Sequence, residues 1–531
     1  MKGKWYLGLL SFVLILFLAS CGGTDESSGD SHSEGDSSDD KATTSSERNI
    51  VVAVAQNFLS MDPQNTGDAN SRTAQRSMFE GLLGLDKDGG IIHVLATDHS
   101  ISEDGLEYTF QLREGVTFHD GTDFNAEVAK ANIDRMTNQD NGIRANRSFE
   151  FVDETIVTGD YEIKVILKNP YSSMLDKFAT SQMISSESLK LSDDEISKNP
   201  IGTGPFKFVS WDQGSSLVVE AYDNYWEEGL PKVAGVEYRP TPENGTRLAL
   251  LKTGEADFIF PYPEQNMSEA DSTDDFTVEL TPSTIQNYVT MNTNKEPFNN
   301  PKVRQAINHA IDNEAFINVV KSGLGNPLDS IITKQTKHYE SQGLYEFNPE
   351  KAKELLAEAG YADGFNTTIW GNTSSDNMRA MQFIQQQLGA VGIEVEVMSM
   401  EEGTLSEKIY GAENPDDAEV DMWYVTWAAS PNDTDHAIRP LFSSQMFPPA
   451  GANSAYYVNE EVTEWINAAR TSADPEEQKE LYSKIQKQIY EDAPWIFLAE
   501  GVVSGGKRAE VDGIYNLSSG AVEVREAEIK K

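Results

Sequence analysis

Residues able to do proton-transfer or covalent chemistry are plentiful in this chain but poorly organised for it. Seven histidines (His32, His93, His99, His119, His309, His338 and His436) are scattered along 531 residues, and none forms a short-range ligand pair in the sequence. There is no G-x-S-x-G elbow, no H-E-x-x-H pair and no G-x-x-x-x-G-K-[ST] phosphate loop. Gly202-Thr203-Gly204 opens like a dinucleotide fingerprint but continues Pro205-Phe206-Lys207, so a Pro-containing turn is expected instead. The 86 carboxylates are so numerous that any two could be nominated as an acid/base pair, which leaves a glycosidase reading without weight. These absences speak against an enzyme and imply neither a cofactor nor a resident metal.

The single cysteine, Cys21, can neither close an internal disulfide nor build a multi-cysteine zinc site. Lys2 and Lys4 precede an apolar run from Trp5 to Leu18, too short to span a bilayer, and Leu18-Ala19-Ser20-Cys21 resembles a lipoprotein cleavage box. Residues 1–20 therefore read as a signal peptide and Cys21 as the lipidated first residue of the mature chain. Residues 21–47, rich in Ser, Gly, Asp and Glu, read as a flexible tether. A lipid at one end would hold the body at the outer face of a membrane.

The elements that must position any site alternate in type. Ile50–Ala55 reads as a strand and Arg72–Leu83 as an amphipathic helix. Tyr108–Leu112 alternates as a half-buried strand, Asn125 caps a helix to Met136, and 155–168 folds as a hairpin turning at Gly159-Asp160. Phe365–Trp370, Asp376–Val391 and Ile393–Val397 form a βαβ unit, and Glu460–Arg470 and Pro475–Glu491 are helices. The length allows three or four lobes, and the 38% hydrophobic content can fill large cores. A net charge of -44 repels phosphate backbones, which argues against a nucleic-acid partner.

Several blocks then stand out as a set. They begin with Glu80-Gly81-Leu82, Asp104-Gly105-Leu106-Glu107-Tyr108-Thr109-Phe110 and Leu112-Arg113-Glu114-Gly115-Val116-Thr117-Phe118-His119-Asp120-Gly121. Pro200-Ile201-Gly202-Thr203-Gly204-Pro205-Phe206, Gly254-Glu255-Ala256-Asp257 and Val303-Arg304-Gln305-Ala306 follow in order. Together they resemble the peptide, nickel and oligopeptide family of extracellular solute-binding proteins, family 5, from about Asn49 onward. Phe260-Pro261-Tyr262-Pro263, Gln385-Gln386-Gln387-Leu388 and Pro440-Leu441-Phe442-Ser443 are most similar to its glutathione-binding subunits. The resemblance implies an α/β, two-lobed, type II periplasmic-binding-protein-like (venus-flytrap) receptor with an extra inserted domain. Lobe I would hold 48–83, 200–290 and 500–531, the inserted domain 84–199, and lobe III 291–499. It further implies a monomer that closes on a glutathione-like small peptide and presents it to ABC permease subunits served by a separate ATPase.

Glutathione carries one ammonium and two carboxylates, so its pocket wants an acid and one or two guanidinium groups. The resemblance offers Arg144 and Arg147 for the carboxylates, with Arg72, Arg379 and Arg439 behind them, whereas Arg247 and Arg304 sit inside helix signatures and read as structural. Asp433 and Asp435 follow an apolar strand and suit either the ammonium or the cap of the next helix. Tyr288, Trp370 and Trp427 have flat surfaces that could wall the pocket or fill the core. In peptide-binding relatives an aspartate three residues after the counterpart of Trp427 holds the peptide amino terminus; here that position is Ser430. Two alternatives stay open: a general di- or oligopeptide binder, and a nickel-chelate or metallophore receptor using His436.

Overall fold

Ile50–Val54 is β-branched almost throughout and nearly all buried, which suits a central parallel strand. In the computed structural model, which describes residues 48–66, 68–270, 272–412 and 414–530, this strand runs parallel to both Gly235–Pro240 and Phe258–Phe260. It belongs to an 11-stranded sheet. One end of that sheet is Ile393–Met400, Phe365–Asn372 and Met422–Trp427, and the other is Gly235–Pro240, Ser216–Ala221 and Phe206–Asp212.

Two long antiparallel strands, Phe276–Met291 of 16 residues and Trp495–Arg508 of 14, join these halves. Their register shifts between Pro282 and Gln286, and only from Gln286 onward does the first strand also pair with Met422–Trp427. Proline has no N–H to give to a ladder, so a break beside Pro282 is the place where the pair can bend at least cost.

A separate four-stranded antiparallel sheet holds Ala96–Ile101, Glu107–Leu112, Glu162–Leu167 and Val152–Gly159 in that spatial order. Its inward side chains Phe110, Ile163 and Val165 pack with Ile133 and Phe178 into one core. Val52, Phe206, Val219 and Tyr238 lie in a second core, and Val289, Ile307, Ile369 and Ile384 in a third. Each core gathers its own sheet faces and helices.

The βαβ unit is present, with Phe365–Asn372 and Ile393–Met400 parallel around the helix Ser375–Gly389. Asn125 caps the helix Ala126–Thr137 by accepting from Val128 N at 3.1 Å. The helix expected over Arg72–Leu83 is instead Ala69–Met78. Asp68 caps it by accepting from Ser71 N at 2.7 Å, and at Phe79 the backbone becomes extended. Gly202-Thr203-Gly204 forms the expected turn. A Cβ on Gly202 would lie 2.1 Å from the Met78 carbonyl oxygen, so only glycine lets the turn seat on that helix end. The signal peptide, Cys21 and the tether lie outside the described residues.

Candidate functional site

The strand Met422–Trp427 delivers Trp427, half-buried, to the start of the helix Thr434–Phe442. Asp433 is the cap of that helix and accepts from His436 N at 3.1 Å, which turns the first helical residues toward the strand end. The Trp427 and His436 rings then lie 5.3 Å apart, centroid to centroid. His436 is exposed, although close neighbours partly desolvate its ring. Burial lowers its pKa, against the pull of Asp433, so the imidazole is mostly neutral at pH 7.

Arg72, on the helix Ala69–Met78, is exposed, and its charge disfavours the protonated form of His436. Its pKa is lowered by burial and by the Arg144 charge, with Asp68 opposing. Arg144 is exposed and reaches this position because its N–H donates to Asn65 Oδ1 at 3.2 Å and the next N–H donates to the Gln64 carbonyl at 3.0 Å. The Arg72 and Arg144 charges thus act on each other, and guanidinium groups are the side chains that pair best with carboxylates. Arg147 is also exposed, one turn further on in the short helix Asn146–Phe149.

The segments 144–180 and 427–470 clasp each other. Lys177, on the helix Met174–Thr180, is ion-paired with Asp433, and the Ser430 hydroxyl donates to Asp176. Arg470 reaches Glu150 at 3.1 Å and Asp435 at 3.6 Å, while its guanidinium lies 4.3 Å from the Phe151 ring centroid. Arg439 Nε donates to Asp435 at 3.0 Å. Burial alone would raise the Asp433 pKa, but Lys177 and the hydrogen bonds bring it below the ordinary carboxylate range. Asp176 goes the other way: burial and the neighbouring Asp433 push it up to about 7. Asp435 is also raised by burial, despite Arg439.

The eight ligand-binding candidates thus occupy different places. Arg144 and Arg147 are exposed, and Trp427 and Ser430 are half-buried. Asp433 and Asp435, each 1% exposed, are engaged by Lys177 and by Arg439 with Arg470. Tyr288 is stacked on Trp495 at 3.6 Å inside the core. Trp370 packs with Leu405, Ile409 and Trp423, with the Lys408 ammonium 5.5 Å from its ring. Sequence reasoning missed Asp176, Lys177 and Arg470, whose neighbours in the chain carry no motif that marks them. It also missed a histidine contact: His93 and His99, six residues apart, bring Nε2 and Nδ1 within 2.9 Å. Among the described residues no three His, Cys, Asp or Glu side chains gather into a metal-binding group. Also among them, no helix is long and apolar enough to cross a membrane.

Comparison with known proteins extends these observations. Residues 90–448 match the family described as bacterial extracellular solute-binding proteins, family 5 Middle. The chain is 38% identical over 486 residues to the glutathione-binding protein GsiB of Pectobacterium atrosepticum, covering 91% of this chain and 94% of that one. Among solved structures it resembles the ABC transporter-associated periplasmic binding protein DppA of Helicobacter pylori in complex with the peptide STSA. That match has a TM-score of 0.76 and 27% identity, covering 92% of this chain and 100% of the other. A dipeptide-binding protein of a Pseudoalteromonas species in complex with Met-Leu matches with a TM-score of 0.77 and 27% identity over 91% of this chain and 100% of its own.

Proposed function

The chain belongs to the bacterial extracellular solute-binding proteins of family 5, two-lobed type II transport proteins rather than enzymes, and from that premise we propose that it is the receptor of an ABC importer for glutathione or a related short peptide. The ligand is captured between lobe I and lobe III, with the inserted domain closing beside them, and is delivered to permease subunits driven by a separate ATPase. Cys21 carries a lipid, and residues 21–47 tether the body to the membrane. The receptor acts as a monomer.

The observation that carries the ligand assignment is the placement of charge. In a chain of net charge -44, Arg72 and Arg144 lie within mutual influence beside His436 and Trp427. Those cations suit a ligand with two carboxylates, and Trp427 supplies a flat apolar surface. Closing two lobes over a small charged ligand removes it from water and strengthens each of these contacts. The test is mass spectrometry of small molecules released by denaturing freshly purified protein. The expected species is glutathione or a short γ-linked peptide; a sugar or a metal chelate as the stoichiometric species would contradict the assignment.

A further inference from the structure

One pair of side chains with metal-ligand chemistry takes no part in the proposed ligand contacts. His93 ends the strand Ile91–His93, and His99 lies on the edge strand Ala96–Ile101. His93 is exposed and His99 half-buried, and their Nε2 and Nδ1 atoms approach to 2.9 Å. The backbone between them is tied down. Val94 N and Ala96 N donate to the Leu82 carbonyl at 3.2 and 2.9 Å, and Leu95 N donates to the Gly81 carbonyl at 3.2 Å. Arg113 Nε donates to the Val94 carbonyl at 3.0 Å. The His99 ring is further held by stacking on the buried Phe110, with centroids 6.0 Å apart. Burial and the His93 charge lower the His99 pKa, with Asp98 opposing, so at pH 7 this imidazole is neutral and has a lone pair to give a metal.

We propose that His93 Nε2 and His99 Nδ1 chelate a copper(II) ion, with water in its remaining positions. The spacing selects the ion. Two imidazole nitrogens about 2.0–2.1 Å from a first-row metal and 2.9 Å from each other subtend about 90° at it, the cis angle of tetragonal copper(II), whereas a tetrahedral ion would hold them about 3.3–3.4 Å apart. Copper(II) also stands at the top of the affinity order for such nitrogen sites. Without metal, one ring N–H lies between the two nitrogens. Coordination moves that proton to the other nitrogen of the same ring. Neither His93 Nδ1 nor His99 Nε2 is hydrogen-bonded to a described group, so the change of tautomer breaks no other bond. Because both rings are held together before the ion arrives, the second Cu–N bond forms intramolecularly, which is the advantage of this pair over a lone surface histidine. Among the described residues no third His, Cys, Asp or Glu joins them, so the site is open to water and to exchange, unlike a closed structural zinc centre.

The experiment is a copper(II) titration of the full chain at pH 7, in a non-coordinating buffer with a weak competing chelator, followed by electron paramagnetic resonance and calorimetry. Wild type is compared with His93→Gln, His99→Gln and the double variant, and His32→Gln serves as the control for a histidine elsewhere on the chain. Wild type is expected to show a tetragonal copper site with two equatorial imidazole nitrogens. Each of His93→Gln and His99→Gln should weaken that site about 100-fold or more, and the double variant should add little, because one imidazole alone does not chelate. His32→Gln should match wild type. Equal copper affinity in wild type and His93→Gln overturns the proposal, as does loss of the site in His32→Gln. Zinc(II) held by the pair as tightly as copper(II) overturns the choice of ion. Should a variant fail to fold, the wild-type spectrum decides, and one without two coordinated nitrogens overturns the proposal.

Discussion

Lys177 and Asp433 lie 256 residues apart in the chain, yet they are ion-paired, with side-chain exposures of 13% and 2%. Such a pair contributes little net stability over an apolar pair of the same shape, but losing one partner leaves the other charge stranded. Lys177→Met would leave Asp433 buried beside Asp176 with no cation against it. Opening the lobes would hydrate both carboxylates, which limits the loss to the free energy of closure. Lys177→Met should therefore shift the protein to an open form, with a larger radius of gyration by small-angle scattering, while changing the thermal midpoint of the separate cores little. The full cost of a broken buried pair, about 3–5 kcal/mol, is the upper limit. A variant as closed as wild type in the same ligand conditions would contradict the role of the clasp. None of this was legible from composition or spacing, because Asp176-Lys177 is an ordinary acidic-basic dipeptide on a short helix. Its partner segment becomes a neighbour only through long-range folding. Arg247 and Arg304 were readable: both are buried and bond mainly to backbone carbonyls, as helix-embedded arginines of the frame do.

At the scale of elements, the pieces with strong local signals formed close to where their patterns put them. Asn125 announced a helix, Gly159-Asp160 a hairpin turn, and the apolar alternation after Phe365 a parallel strand. The first helix ended early because the run Phe79 to Leu85 is apolar enough to look helical but is used as extended chain and the strand Leu83–Leu85. The long strand Phe276–Met291 carries Pro282, a poor strand former, and Ser283 in its middle and gives no clear local signal; pairing with Trp495–Arg508 along it makes it a strand. His119 shows how such elements are locked together. Its Nδ1 accepts from Gly202 N at 3.3 Å and its Nε2 donates to the Gly204 carbonyl at 2.9 Å, so it joins the segment after Val116 to the glycine turn as a neutral ring. Burial lowers its pKa to about 4. The folded value lies below the unfolded one of about 6.5, so this contribution is complete above pH 6.5 and is lost as pH falls toward 4. The unfolding equilibrium should thus gain up to about tenfold per pH unit across that window from this group. Comparing urea midpoints of wild type and His119→Gln from pH 7 to 4 checks it. The variant should show a shallower decline, and parallel curves would contradict the account.

At the scale of the molecule, the chain carries a large excess of acid, yet Arg72 and Arg144 act on each other and Lys177 and Lys337 both act on Asp176 at the clasp. In the proposed receptor, cations gathered locally are what let a strongly anionic protein attract a ligand with two carboxylates. The ordered motifs made the family legible across most of the body, and the α/β alternation made the fold class legible as well. The clasp was not, since its two sides lie more than 200 residues apart in the chain. In the proposed receptor the site selects a glutathione-like ligand by the position of its amine as well as its carboxylates. Titration calorimetry of the wild-type protein with glutathione and with Glu-Cys-Gly of ordinary α linkage tests this most directly, because the two differ only in which glutamate carboxyl forms the peptide bond. Tighter binding of glutathione, at one site per chain, is the predicted result; equal or inverted affinities, or no binding of glutathione, would contradict it.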